Sequence, residues 1–166
     1  WELAGPSASI VAIDRAPSRC EALRRTVLER NIGNIRVIQS DSFPRRNPDV
    51  PQQYDRVIVD VPCSNSGVLA RRPEARYHQS NKHLEDLIKL QKAILADTIP
   101  AVAPGGLLIY STCSIWSEEN QQIVQWILNE FEQLDVIRDH TTLPHSSEDP
   151  ADYHDGGYYA ILKRTK

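Results

Sequence analysis

The chain has 166 residues, 40% hydrophobic and 25% charged, with a formal net charge of -3. That length and balance describe one soluble globular domain able to bury a core, and they exclude a disordered or fibrous chain. The charge excludes a protein that grips nucleic acid through a uniformly basic surface, so any RNA affinity rests on local patches such as Arg45-Arg46 and Arg71-Arg72 with Arg76.

In chain order, residues 9–13 (SIVAI) form a short β-branched run that stops at Asp14 and reads as a strand. Pro17 then opens a helix whose apolar positions are Cys20, Leu23, Val27 and Leu28, ending near Asn31-Ile32-Gly33-Asn34. Residues 35–38 (IRVI) are a second strand, closing at Asp41, and residues 55–60 a third, which ends at Asp60 and runs into Pro62-Cys63. Apolar residues at helical spacing predict a long helix over 84–102, stopped by Pro104-Gly105-Gly106. Residues 106–110 follow as a strand, 114–131 as a helix, then 134–137 and 158–162 as closing strands. Strands alternating with helices predict an α/β fold with a doubly wound, mostly parallel sheet. Ligands of such a sheet lie at the carboxyl ends of the strands, where Asp14, Asp41, Asp60 and Cys113 fall.

The three cysteines, Cys20, Cys63 and Cys113, are far apart and form no CxxC pair, which argues against a disulfide framework, a zinc site and a dithiol redox protein. The five histidines show no HExxH spacing, so no metal is expected. No run of apolar residues has the length of a membrane span, and a cytoplasmic location is expected. A strand-end acid such as Asp14 commonly receives ribose hydroxyls, although a helix cap is the commoner role for such an acid standing alone. Asp41 is placed to accept from an adenine amino group after the next strand. Cys20 lies on the apolar face of the first helix and reads as core. Asp60-Val61-Pro62-Cys63-Ser64 and Ser111-Thr112-Cys113-Ser114 differ from that, since each presents a thiol in a loop at the ligand edge. Tyr77 and His78, near Arg71-Arg72, read equally as base-stacking groups and as ordinary loop surface.

Taken with Gly67, Arg72-Pro73, Leu90-Gln91, Pro104-Gly105-Gly106, Glu119-Asn120 and Asp155-Gly156, these motifs resemble the Sun/Fmu-type RNA cytosine-5 methyltransferases over most of the chain. The resemblance implies the Rossmann-like sheet of S-adenosylmethionine-dependent methyltransferases, S-adenosylmethionine as cofactor, and RNA, ribosomal RNA first, as substrate. It implies Cys113 as the nucleophile that adds to cytosine carbon 6, Cys63 as the thiol that assists breakdown of the covalent intermediate, and Asp60 as the acid on the cytosine edge and in the cofactor site. Asp14 and Asp41 match the ribose and adenine contacts, and Arg71 and Arg72 are the candidate RNA contacts. A Pro-Cys thiol also serves DNA cytosine-5 methyltransferases as nucleophile, and the Thr112-Cys113 motif decides between the two assignments.

Two departures bear on function. The family's first strand and glycine-rich cofactor loop are expected upstream of Val11, and Trp1-Glu2-Leu3-Ala4 looks like the end of the helix after that loop. With no methionine in the sequence, the chain is expected to be an N-terminally cut piece of the catalytic domain, residues 1–166, binding cofactor weakly or not at all. Asn65 also stands where the family pattern has glycine. The alternative from another class is a noncatalytic methyltransferase-like module that docks onto RNA or protein.

Overall fold

The computed structural model describes residues 5, 7–44, 47–48, 50–78, 80–146, 149 and 152–165. Arg45, Arg46, segment 1–4 and the side chain of His78 lie outside that description. The chain divides into two compact units, Trp1–Gln52 and Gln53–Lys166.

The first unit holds β1 (Ile10–Asp14), α1 (Pro17–Glu29) and β2 (Ile35–Gln39). β1 and β2 pair in parallel, from Ile10 opposite Ile35 to Asp14 opposite Gln39. The Asp14 carboxylate accepts the Ala16 N–H at 2.7 Å, which turns the chain toward Pro17, whose fixed φ and missing N–H suit a first helical position. The helix ends on Asn31 rather than on Gly33. Asn31 adopts φ 51, its N–H reaches the Leu28 carbonyl, and the Ile32 N–H reaches Val27, the two-bond pattern of a left-handed C-terminal cap. The expected apolar face of α1 is only partly used. Cys20 is buried, with its thiol 3.3 Å from the Asp14 carbonyl, whereas Leu23 is 37% and Leu28 79% exposed.

The second unit is built on a sheet ordered β3-β4-β6-β5, from β3 (Tyr54–Asp60), β4 (Val102–Thr112), β5 (Leu134–Thr142) and β6 (Gly157–Arg164). β3 and β4 are parallel, and β6 is antiparallel to both β4 and β5. The sheet of this unit is therefore mixed, because β6 returns after β5 by a connection with no crossover helix among the described residues. Its cross-strand rows show which face is covered. Val59, Tyr110 and Ala160 share one row and are buried, and α2 (Asn81–Thr98) and α3 (Gln121–Glu130) supply Leu95, Ile123 and Ile127 to the same cluster. The neighbouring row, Ile58, Ile109 and Ile161, faces the other way, and Ile58 is 72% exposed.

Four boundaries differ from the sequence expectation, each for a local reason. α2 stops at Thr98 and passes into a 3-10 turn, Ile99–Ala101, because Pro100 offers no N–H to continue it. β4 starts at Val102, ahead of Pro104. Its register against β3 jumps from Tyr54 opposite Val102 to Arg56 opposite Leu107, a bulge that Gly105, at φ 77, makes possible. α3 begins at Gln121 rather than Ser114, because 114–120 form loop and turns around buried polar side chains. β5 runs on to Thr142 through Arg138, Asp139 and His140. These residues are exposed at the end of the sheet order, where no apolar pattern is required.

Candidate active site

Parallel pairing brings the two thiol loops out at one end of the second unit. Asp60 lies opposite Ser111, and the Val61 N–H donates to the Ser111 carbonyl at 3.3 Å. Cys63 and Cys113 follow from the carboxyl ends of β3 and β4. The loops are then tied to each other: the Gly67 N–H donates to the Cys113 carbonyl at 3.0 Å, and the Gly156 N–H to the Gly67 carbonyl at 2.7 Å. Gly67 has no alternative residue here. A Cβ on it would sit 2.5 Å from the Gly156 oxygen and 2.9 Å from the Cys113 oxygen, both backbone atoms. Asn65 adopts φ 58 and its Nδ2 donates to the Cys63 carbonyl at 3.2 Å. Asparagine is, after glycine, the residue that best tolerates this left-handed conformation.

Beneath the loops lies a buried polar layer. Glu119 is 0% exposed and accepts from the Ser64 N–H at 2.9 Å, the Ser64 hydroxyl at 2.5 Å and Gln91 Nε2 at 2.9 Å. Gln91 Nε2 also donates to the Pro62 carbonyl at 3.0 Å. Asn120, equally buried, donates to the Ser114 carbonyl at 2.9 Å and accepts from the Thr112 hydroxyl at 2.7 Å. The Ser66 and Ser114 hydroxyls meet at 2.9 Å, and the Tyr110 hydroxyl donates to the Glu119 carbonyl at 2.6 Å. Gln91 Oε1 finds no partner among the described residues; the other polar groups of this layer are satisfied, and groups so satisfied rigidify what they hold.

The thiols sit in unlike surroundings. Cys63 is half-buried, and burial pushes its pKa up to about 11. The backbone N–H groups of Asn65 and Cys113 work against that rise, while the Glu119 charge adds to it. Cys113 is exposed, on the wall of a cleft of about 430 Å³ lined also by Asn65, Val68, Arg71, Arg72 and Asp155. The cleft walls still desolvate it enough to raise its pKa. Asp60 raises it further, and Arg72 and Arg71 oppose the shift. Arg71 is already engaged, its guanidinium on Asp155 at 2.6 Å. The Tyr153 hydroxyl donates to the same carboxylate at 2.7 Å, and Tyr153 together with Arg71 holds Asp155 below the ordinary carboxylate range. Arg72 makes no ion pair among the described residues.

Of the residues singled out by sequence, Cys63, Cys113, Asp60, Arg71 and Arg72 thus belong to the second unit, and Asp60 is exposed with the Ser111 hydroxyl 3.3 Å away. Asp14 and Asp41 belong to the first. Both oxygens of Asp14 meet Arg19, at 2.7 and 2.8 Å, and this pairing, with the Ala16 N–H, lowers its pKa. Asp41 is exposed in the bend after β2. Acceptor-only carboxylates after two adjacent parallel strands are suited to receive hydrogen bonds from hydroxyls and an amino group. Tyr77 is 90% exposed. Among the described residues no cluster of His, Cys, Asp and Glu has the makings of a metal site, and no helix is long and apolar enough to cross a membrane. Glu119, Asn120, Gln91 and Asp155 carried no assigned role in the sequence. The available signal was an acid and an amide adjacent in a stretch that otherwise reads as helix.

A family model described as 16S rRNA methyltransferase RsmB/F matches residues 1–162. The ribosomal RNA small subunit methyltransferase B of Yersinia enterocolitica is 30% identical over 173 residues, which is 97% of this chain and 38% of that protein. The chain therefore spans well under half the length of this curated relative. Among solved structures, PH0851 superimposes with a TM-score of 0.77 at 27% identity, over 96% of this chain and 38% of that one. NSun6 from Pyrococcus horikoshii, solved with SFG, gives 0.75 at 24% identity, over 99% and 44%.

Proposed function

Because the chain belongs to the 16S rRNA methyltransferase RsmB/F family and has the Rossmann-like α/β fold of S-adenosylmethionine-dependent methyltransferases, we propose that the full-length protein methylates carbon 5 of a cytosine in ribosomal RNA. A cytoplasmic location goes with that substrate. The observation that carries the reading is the pair of thiols, one exposed and one half-buried, on adjacent parallel strand ends whose loops are hydrogen-bonded together.

Carbon 5 of cytosine is a poor nucleophile, and addition of a thiolate at carbon 6 turns the ring into an enamine that reacts at carbon 5. Cys113 is the thiol for that addition, being the more accessible. Asp60 receives the cytosine edge and stabilises charge that develops there. S-adenosylmethionine, when bound, supplies the electrophilic methyl group, with Asp14 and Asp41 as the candidate ribose and adenine acceptors and Asp60 as a further candidate contact. The carbon 5 proton then passes to solvent water as the Cys113 sulfur–carbon 6 bond breaks, restoring the aromatic ring and the Cys113 thiolate. Cys63 assists this release. Arg72 is the better-placed RNA contact, because Arg71 is committed to Asp155.

The test is methyl transfer to RNA by the full-length protein. Cys113→Ala is expected to abolish transfer, and Cys63→Ala to trap a covalent protein–RNA adduct that is absent from Cys113→Ala. Activity retained in Cys113→Ala would overturn the nucleophile assignment.

A further inference from the structure

We infer that the dipeptide Glu119-Asn120 positions both thiols, Glu119 holding the chain on either side of Cys63 and Asn120 holding it on either side of Cys113. The functional consequence rests on the division of labour between the two cysteines proposed above.

The two halves of the device are alike. The Glu119 carboxylate accepts the Ser64 N–H, and Gln91, bonded to the same carboxylate, reaches back to the Pro62 carbonyl. The residues flanking Cys63 are thereby fixed through one acid. The Asn120 amide accepts from the Thr112 hydroxyl and donates to the Ser114 carbonyl, so the residues flanking Cys113 are fixed through one amide. One trans peptide joins the two residues and holds their Cα atoms about 3.8 Å apart. Their spacing therefore transmits to the two loops. Direct links complete the frame, through the Ser64 and Ser114 hydroxyls at 3.3 Å and the Gly67 N–H on Cys113.

Glu119 differs from Asn120 in one respect that makes the pair testable. Its charge raises the Cys63 pKa, whereas the leading influences on Cys113 are burial, Asp60 and Arg72. Replacing it by glutamine removes the charge and substitutes a donor for one of the acceptors facing Ser64. Both changes favour Cys63 thiolate and access. The protein as proposed keeps Cys63 protonated while Cys113 attacks, and a loop released from Glu119 loses that distinction.

The experiment is site-resolved alkylation of the full-length protein by iodoacetamide across pH, each cysteine quantified by mass spectrometry. In Glu119→Gln, Cys63 is expected to react about tenfold faster at pH 8, equivalent to a one-unit acid shift, with Cys113 unchanged within about twofold. In Asn120→Ala the selectivity reverses, Cys113 accelerating while Cys63 does not. Unchanged Cys63 reactivity in Glu119→Gln, or both cysteines accelerating together in either variant, would overturn the inference, the second result marking general loosening. Should Glu119→Gln fail to fold, Ser64→Ala decides: deleting the hydroxyl removes its bond to Glu119 and its longer contact with Ser114, and is expected to speed Cys63 about threefold and Cys113 by less, and no change at Cys63 refutes the clamp. No RNA or methyl donor enters these measurements. A wild-type protein that transfers no methyl group would thus overturn the proposed function separately, whereas an active enzyme whose thiols ignore both substitutions would overturn the clamp alone.

Discussion

At the scale of single residues, Cys113 is both the accessible thiol and one whose ionisation is opposed, first by burial and then by the Asp60 carboxylate. A negative neighbour disfavours a second negative charge. Asp60→Asn is therefore expected to move the alkylation profile of Cys113 to lower pH, since removing the raising charge lowers the thiol pKa. The same substitution is expected to slow methyl transfer about 100-fold, through loss of the contact that stabilises charge on the substrate. The two effects have opposite signs, and a parallel fall in alkylation and transfer would refute the placement of Asp60. Asn65 makes a second residue-level case. At φ 58, glycine is expected to be tolerated within a few tenths of a kcal/mol, whereas alanine costs about 1 kcal/mol, measured by denaturant unfolding.

At the scale of elements, the ties between loops matter more than the strands beneath them. Gly67→Ala forces a methyl group against two backbone oxygens and is expected to cost about 1–3 kcal/mol, read as a fall in the unfolding midpoint, with methyl transfer lost as the thiols part. Most of the elements were legible in the sequence because their apolar residues repeat at a strand or helix period. The boundaries that were not legible share a cause. Residues 114–120 carry a helix-like pattern, yet Ser114, Glu119 and Asn120 are buried and spend their hydrogen bonds on the neighbouring loops, which a pattern of hydrophobicity does not register. Likewise 138–142 extend β5 without apolar alternation because Arg138, Asp139 and His140 are exposed and none of the five is buried. The thiols and Asp60 were readable as chemistry from their motifs. Gln91 and Glu119 were not, since their roles exist only across separations of 28 and 55 residues.

For the molecule as a whole, burying Cys63 ties stability to pH. Its folded pKa, about 11, lies above the ordinary thiol value of 9.0. The folded state therefore holds a proton that the unfolded state releases first, and the contribution is full below pH 9 and lost as pH rises through about 11. Wild type is expected to lose about 2 kcal/mol more than Cys63→Ala between pH 8.5 and 11, measured by chemical denaturation at both. Equal losses would refute the burial of that thiol. The parallel register of β3 and β4 has a consequence of another kind. Cys63 and Cys113 are fifty positions apart in the chain, but their meeting is set by the ladder between two adjacent strands, not by the length of what joins them. Evolution or a protein engineer is then free to lengthen the stretch between Arg72 and α2 without altering the strand pairing that sets the two thiols. One residue inserted inside β4, by contrast, reverses every strand side chain beyond it and displaces the loop that carries Cys113.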